Sequence, residues 1–157
     1  MSQDGVEILL VEDNPKDVKL TVHALSGRNF PEHLKVGLKI VRDGEEALDY
    51  LFCRGSFADR SFACPPRLVL LDLKLPKVEG LEVLRIIKSD PRTRPIPVVV
   101  LTGSSEESDM IQSYQLGVNA YIQKPVDFDR FREVVEQLGL FWLLVNRSAP
   151  PAAFTAG

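Results

Sequence analysis

Glu12 and Asp13 follow directly on the apolar run EILLV at 7–11, and Asp72 follows LVLL at 68–71. Thr102 closes IPVVVLT at 96–102, and Lys124 follows NAYIQ at 119–123. Each polar group thus stands at the end of an apolar, strand-like run. Three carboxylates drawn to one place repel one another and hold protons unless a cation intervenes. A hard divalent ion, Mg²⁺ or Mn²⁺, resolves that conflict, because it takes oxygen ligands and keeps several waters. Asp72 beside such an ion is a positioned carboxylate nucleophile. The oxygens of an incoming phosphoryl group would meet the ion, the Lys124 ammonium and the Thr102 hydroxyl. The set therefore supports phosphoryl transfer to Asp72.

Taken singly, the same residues have ordinary readings. Glu12 and Asp13 suit the positive end of a following helix. Thr102 alone is a strand-end hydroxyl, Tyr121 a half-buried strand aromatic, and Lys124-Pro125 a turn signal. The functional reading rests on their joint placement at the ends of buried strands.

That placement needs elements to create it. EILLV, LVLL and VVVL run without polar alternation, as strands covered on both faces do. Val36, Leu38 and Ile40 alternate with Gly37 and Lys39, which predicts an edge strand. Asn14 before Pro15 predicts a helix start, with Val18, Leu20, Thr21, Ala24 and Leu25 forming its apolar side and a stop near Gly27. Residues 28–35 read as a loop. Asp43-Gly44 reads as a turn before a helix over 45–53, and Leu81, Leu84 and Ile87 mark another over 80–89. Ser104 with Glu107 predicts a capping box for a helix over about 105–116. Asp127 predicts the cap of a last helix over about 128–145, with Val134, Leu138, Phe141, Trp142 and Val145 toward the sheet. Five strands each followed by a helix give an α/β, doubly wound, five-stranded parallel sheet with helices on both faces. In such sheets ligands bind at the carboxyl edge of the strands.

Residues 54–66, RGSFADRSFACPP, are long for a connection, and Phe57 and Phe62 are expected to pack back on the body. Residues 1–146 are expected to form one domain, with no output domain and a disordered tail at 147–157. The 157 residues carry 45% apolar and 26% charged side chains, as an ordinary globular chain does. A net charge of −3 argues against a nucleic-acid footprint. No apolar run reaches the length of a membrane span, and the start MSQDGVE lacks a signal-peptide pattern. The expectation is a cytoplasmic protein, not bound to membrane or nucleic acid, with Cys53 and Cys64 as thiols in a reducing compartment. A redox pair is the alternative; with His23 and His33 the only histidines, a zinc site is not expected.

VEDN at 11–14, LLDLKLP at 70–76, VVLTG at 99–103 and YIQKP at 121–125 resemble the receiver domain of two-component response regulators, in order and spacing over about 7–138. The resemblance implies the flavodoxin-like, CheY-like fold with strand order 2-1-3-4-5. It implies Asp72 as phosphoacceptor and a sensor histidine kinase as phosphoryl donor. Glu12, Asp13, Asp72 and the backbone carbonyl of Lys74 are implied around Mg²⁺, or Mn²⁺ in its place. Thr102 and Lys124 are implied as the phosphoryl-binding pair, Tyr121 as the aromatic that turns with Thr102, and Lys124-Pro125 as a cis peptide. Lys74 and Ser104, each two residues past a site residue, occupy positions that resemble the family's tuners of phosphoryl lifetime. EDNPKDV, the 54–66 excursion and the FWLLVN ending resemble more narrowly the small regulators paired with bacterial and cyanobacterial phytochromes.

Signalling without an output domain would pass through a changed surface, the face of the fourth helix, fifth strand and fifth helix. The last helix is apolar on more than one side, which predicts a homodimer through that face and the FWLLV extension. The chain is not expected to be an enzyme beyond its own phosphorylation and dephosphorylation. An aspartyl phosphatase of the haloacid dehalogenase type needs a second acid where Lys74 stands. A nucleotide- or flavin-binding domain needs a glycine- or hydroxyl-rich loop where VEDNPKDV stands. A phosphate shuttle in a multi-step relay and a binding-only receiver are the remaining alternatives.

Overall fold

Strands of four or five residues make the sheet of this computed structural model, which describes residues 7–26 and 36–154. The strands are β1 (Ile8–Val11), β2 (Leu38–Val41), β3 (Leu68–Leu71), β4 (Val98–Thr102) and β5 (Ala120–Gln123). The helices are α1 (Pro15–Leu25), α2 (Gly44–Leu51), α3 (Gly80–Ser89), α4 (Glu107–Gln115) and α5 (Phe128–Leu140). All strands are parallel, in the order β2-β1-β3-β4-β5. Every residue of β1, β3 and β4 is buried, as the unbroken apolar runs predict. Their side chains alternate between two cores. Leu9, Val11, Val69, Leu71, Val98 and Val100 pack with α2 and α3. Ile8, Leu10, Leu68, Leu70, Val99 and Leu101 pack with α1 and α5.

Helix starts follow the local chemistry. Asn14 Oδ1 accepts from Lys16 N at 2.9 Å and Asp17 N at 3.3 Å, with Pro15 in the first turn. Asp43 caps α2 through Glu46 N, and Asp127 caps α5 through Arg130 N. The capping box expected from Ser104 and Glu107 does not form. Ser104 Oγ instead accepts from Glu106 N and donates to Asp109 Oδ2 at 2.6 Å, so α4 begins at Glu107 without a side-chain cap. The charged acceptor is the stronger partner. The Gly27 stop and the 28–35 loop lie outside the described residues.

The 54–66 excursion packs back as expected. Phe57 meets Tyr50 edge-on at 5.1 Å between ring centres, and Phe62 meets Phe52 at 6.1 Å. Another expectation fails. The last helix is not α-helical to its end, because Phe141–Val145 form a π-turn closed by Asn146 N donating to Phe141 O at 2.6 Å. A π-turn closes hydrogen bonds between residues five apart and widens the helix locally. Leu143 is 3% exposed and joins the core that holds Leu138, while Phe141 and Val145, expected toward the sheet, are 47% and 67% exposed. Arg67 Nε donates to Ser148 Oγ at 3.1 Å, and a 3₁₀ turn at Pro151–Phe154 sets Phe154 against the core. Aromatic burial there offsets the entropy of ordering a short segment.

Candidate functional site

Parallel strands deliver their carboxyl ends to one edge, and the strand order reverses between β1 and β3. The crevice at such a reversal is where open α/β sheets bind ligands. Ladder bonds run past the strand ends and hold the residues that follow. Glu12 N donates to Val41 O at 3.0 Å, Asp72 N to Val11 O at 3.1 Å and Lys124 N to Thr102 O at 2.7 Å. Gly80 brings α3 against the exit of β3: a Cβ there would stand 2.3 Å from the Asp72 carbonyl oxygen. A side chain at that position would push Asp72 out of place.

Lys124 is the centre of the site. Its ammonium donates to Glu12 Oε1 at 2.6 Å, Asp17 Oδ2 at 2.9 Å and Asp72 Oδ2 at 3.0 Å. Asp72 Oδ1 accepts from Lys74 N at 3.3 Å, and Glu12 Oε2 from Asn14 N at 3.3 Å. Carboxylate oxygens of Glu12, Asp13 and Asp72 lie within 4.8 Å of one another. Glu12 and Asp72 are buried and Asp13 is exposed. An open cleft is lined by Asp13, Asn14, Asp17, Asp72, Lys74 and Lys124.

Burial pushes the Glu12 carboxyl up to about 7, with the charge of Asp72 adding to the rise and Lys124 opposing it. Burial works to lower Lys124. Its hydrogen bonds to Asp17 and Glu12 and the charge of Asp72 outweigh that and hold it above the ordinary lysine value. The ammonium is therefore charged at neutral pH.

Thr102 is fully buried at the end of β4, and its Oγ1 accepts from Ser104 N at 3.3 Å. Tyr121 lies on the neighbouring strand β5, paired in register with Val100, two residues before Thr102. The Tyr121 hydroxyl is buried and has no hydrogen-bond partner among the described residues. Burial raises its pKa, the nearby Ser104 side chain opposes the rise, and the charges of Asp109, Glu106 and Asp72 add to it. The Lys124–Pro125 peptide is trans, not the cis form implied by the resemblance. Trans is the lower-energy isomer, and Lys124 reaches all three acids from it.

The structure thus brings Glu12, Asp13, Asp72 and Lys124 together, with the Lys74 backbone beside them and Thr102 behind. Asp17 was missed by sequence reasoning. It is the acid of the first turn of α1, three residues past the Asn14 cap, where an acid has the ordinary reading of complementing the helix end. Asp109, the partner of Ser104, carried no signal, because only the path of the β4–α4 loop joins them.

The grouped oxygens fit a divalent cation. They are hard donors at a spacing one ion can bridge, at the mouth of a cleft with room for waters.

The family model for the response regulator receiver domain matches residues 8–136. Among curated proteins, the chain is 43% identical over 151 residues to the probable methanogenesis regulatory protein FilR2 of Methanothrix harundinacea, covering 96% of this chain and 92% of that protein. It is 40% identical over 136 residues to the response regulator Rcp1 of Synechocystis, covering 87% and 88%. Many solved structures resemble it. The phosphorylated cyanobacterial phytochrome response regulator RcpA has a TM-score of 0.83 and 42% identity, over 92% of this chain and 99% of that one. The Mn²⁺-bound form of Rcp1 has a TM-score of 0.83 and 38% identity, over the same shares. The bacteriophytochrome response regulator AtBRR has a TM-score of 0.68 and 51% identity, over 90% and 98%.

Proposed function

This chain belongs to the response regulator receiver domain family, and from that premise we propose that Asp72 accepts a phosphoryl group from the phosphohistidine of a sensor histidine kinase. The observation that carries the reading is one ammonium, Lys124, held on Asp72, Glu12 and Asp17 beside three clustered carboxylates. In the transfer an Asp72 carboxylate oxygen forms the new bond to phosphorus. The bond from phosphorus to the imidazole nitrogen breaks, and its electron pair stays with the imidazole. Lys124 is charged and placed to pair with a phosphoryl oxygen. Glu12, Asp13, Asp72 and the Lys74 carbonyl would hold Mg²⁺ or Mn²⁺, which when bound supplies positive charge to the phosphoryl oxygens. That the related Rcp1 is known in a Mn²⁺-bound form supports this ligand class.

Thr102 and Tyr121 are the proposed switch. A phosphoryl group on Asp72 draws the Thr102 hydroxyl, the Ser104 loop follows, and the Tyr121 ring responds. The output is a change in protein contacts. Met110, Ile111 and Tyr114 on α4 and Phe141, Leu144 and Val145 on the last turn are exposed apolar groups, which supports a homodimer that uses α4, β5, α5 and the last turn. The likeness to phytochrome response regulators supports a phytochrome-type kinase as the donor. No described helix is long and apolar enough to cross a membrane.

The test is incubation with Mg²⁺ and acetyl phosphate, read by intact mass. One phosphoryl group is expected on the wild type and none on Asp72→Asn. An unchanged wild-type mass, or an equal gain in the variant, overturns the reading.

A further inference from the structure

Lys124 has three N–H donors, and three different acids take them. Two of those acids have another task in the proposed function, on which this inference rests. Asp72 is the acceptor, and one of its oxygens becomes the ester oxygen. Glu12 belongs to the carboxylate cluster with Asp13 and Asp72. Asp17 belongs to neither. It stands on α1, outside the cluster, and reaches Lys124 at 2.9 Å from a side chain 20% exposed. It also lines the cleft into which a phosphoryl donor would enter.

We propose that Asp17 is a positioning residue for phosphoryl transfer: it anchors the Lys124 ammonium over the acceptor while the other two partners change roles. The physical need is plain. A lysine side chain has four rotatable carbons and no fixed direction of its own. An ammonium that loses two of three partners swings toward solvent unless the third holds it. Asp17 is itself fixed, because its backbone N–H is taken by Asn14 Oδ1 at 3.3 Å in the first turn of α1. The anchor thus runs from the helix cap through Asp17 to Lys124.

An acid at the cleft mouth has a second effect of opposite sign, since its charge repels an anionic donor. The two effects separate in kinetics. Positioning acts on the rate at saturating donor; repulsion acts on the donor concentration needed to reach half of it.

The experiment uses the full chain with Mg²⁺ at constant ionic strength, phosphorylated over a range of acetyl phosphate concentrations. Asp17→Asn is expected to lower the maximal rate by about tenfold, with the half-saturating concentration unchanged or lower, and Asp17→Glu to recover most of the rate. A second readout is independent of phosphorylation. The ¹⁵N-detected ammonium of Lys124, assigned by its loss in Lys124→Arg, should exchange its protons faster with water in Asp17→Asn than in the wild type. A maximal rate within about twofold of the wild type, or unchanged ammonium exchange, overturns the proposal. If the wild type takes up no phosphoryl group, the proposed function fails instead, and the exchange measurement still decides whether Asp17 holds Lys124.

Discussion

Lys124 Nζ lies 2.6 Å from Glu12 Oε1, closer than it comes to either of its other two acids. The contact does not suffice to keep Glu12 an ordinary acid, because burial pushes its carboxyl up to about 7 from 4.5. The folded chain therefore binds a proton at Glu12 more tightly than the unfolded chain does. Its contribution to stability is fully present below pH 4.5 and is lost as pH rises through 7. Glu12→Gln should raise the unfolding free energy at pH 8 by on the order of 3 kcal/mol and change it little at pH 4. Urea titrations in chelator at the two pH values check this; a difference independent of pH contradicts it.

Lys124→Met leaves Glu12 and Asp72 buried without their cation. A buried ion group stripped of its partner costs about 3–5 kcal/mol. The loss at pH 7.5 should exceed the loss at pH 5, where Glu12 takes up a proton. Adding Asp72→Asn should recover part of it, because one of the stranded charges is gone. A double variant less stable than Lys124→Met would show that repulsion among the acids is not what the lysine relieves.

Gly80→Ala tests how tightly the nucleophile is built. The added Cβ would stand 2.3 Å from the Asp72 carbonyl oxygen and 2.5 Å from Leu73 Cα. Both are backbone atoms that cannot swing away. The substitution should destabilise by about 2 kcal/mol or more and slow phosphorylation of Asp72 further than the loss of folded protein explains. Thermal melts alongside intact-mass time courses separate the two effects.

The last turn separates stability from assembly. Leu143→Ala should cost about 2–5 kcal/mol, since Leu143 is buried in the α1–α5 core. Phe141→Ser with Leu144→Ser should cost little stability, because both side chains are half exposed. On the proposed dimer, that pair should shift the chain toward monomer in light scattering. A dimer that survives both substitutions places the interface elsewhere.

Asp72 and Glu12 were legible because each follows an unbroken apolar run, with Asp13 next to Glu12 and Lys124 closing the run NAYIQ, and parallel strands carry such residues to a common edge whatever the loops between them do. The strands, the helices with their Asn14 and Asp127 caps, and the inward packing of Phe57 and Phe62 were legible for the same local reasons: spacing, burial and turn chemistry act within a few residues. Tertiary structure alone decided the rest. Asp17 meets an ammonium 107 residues away, and Ser104 leaves its expected cap for Asp109, because through-space partners depend on how separate elements pack. The π-turn at Phe141–Val145 rotates the last apolar residues by one position. The burial of Leu143 in place of Phe141 follows from where the core ends, which no helical periodicity in the sequence records.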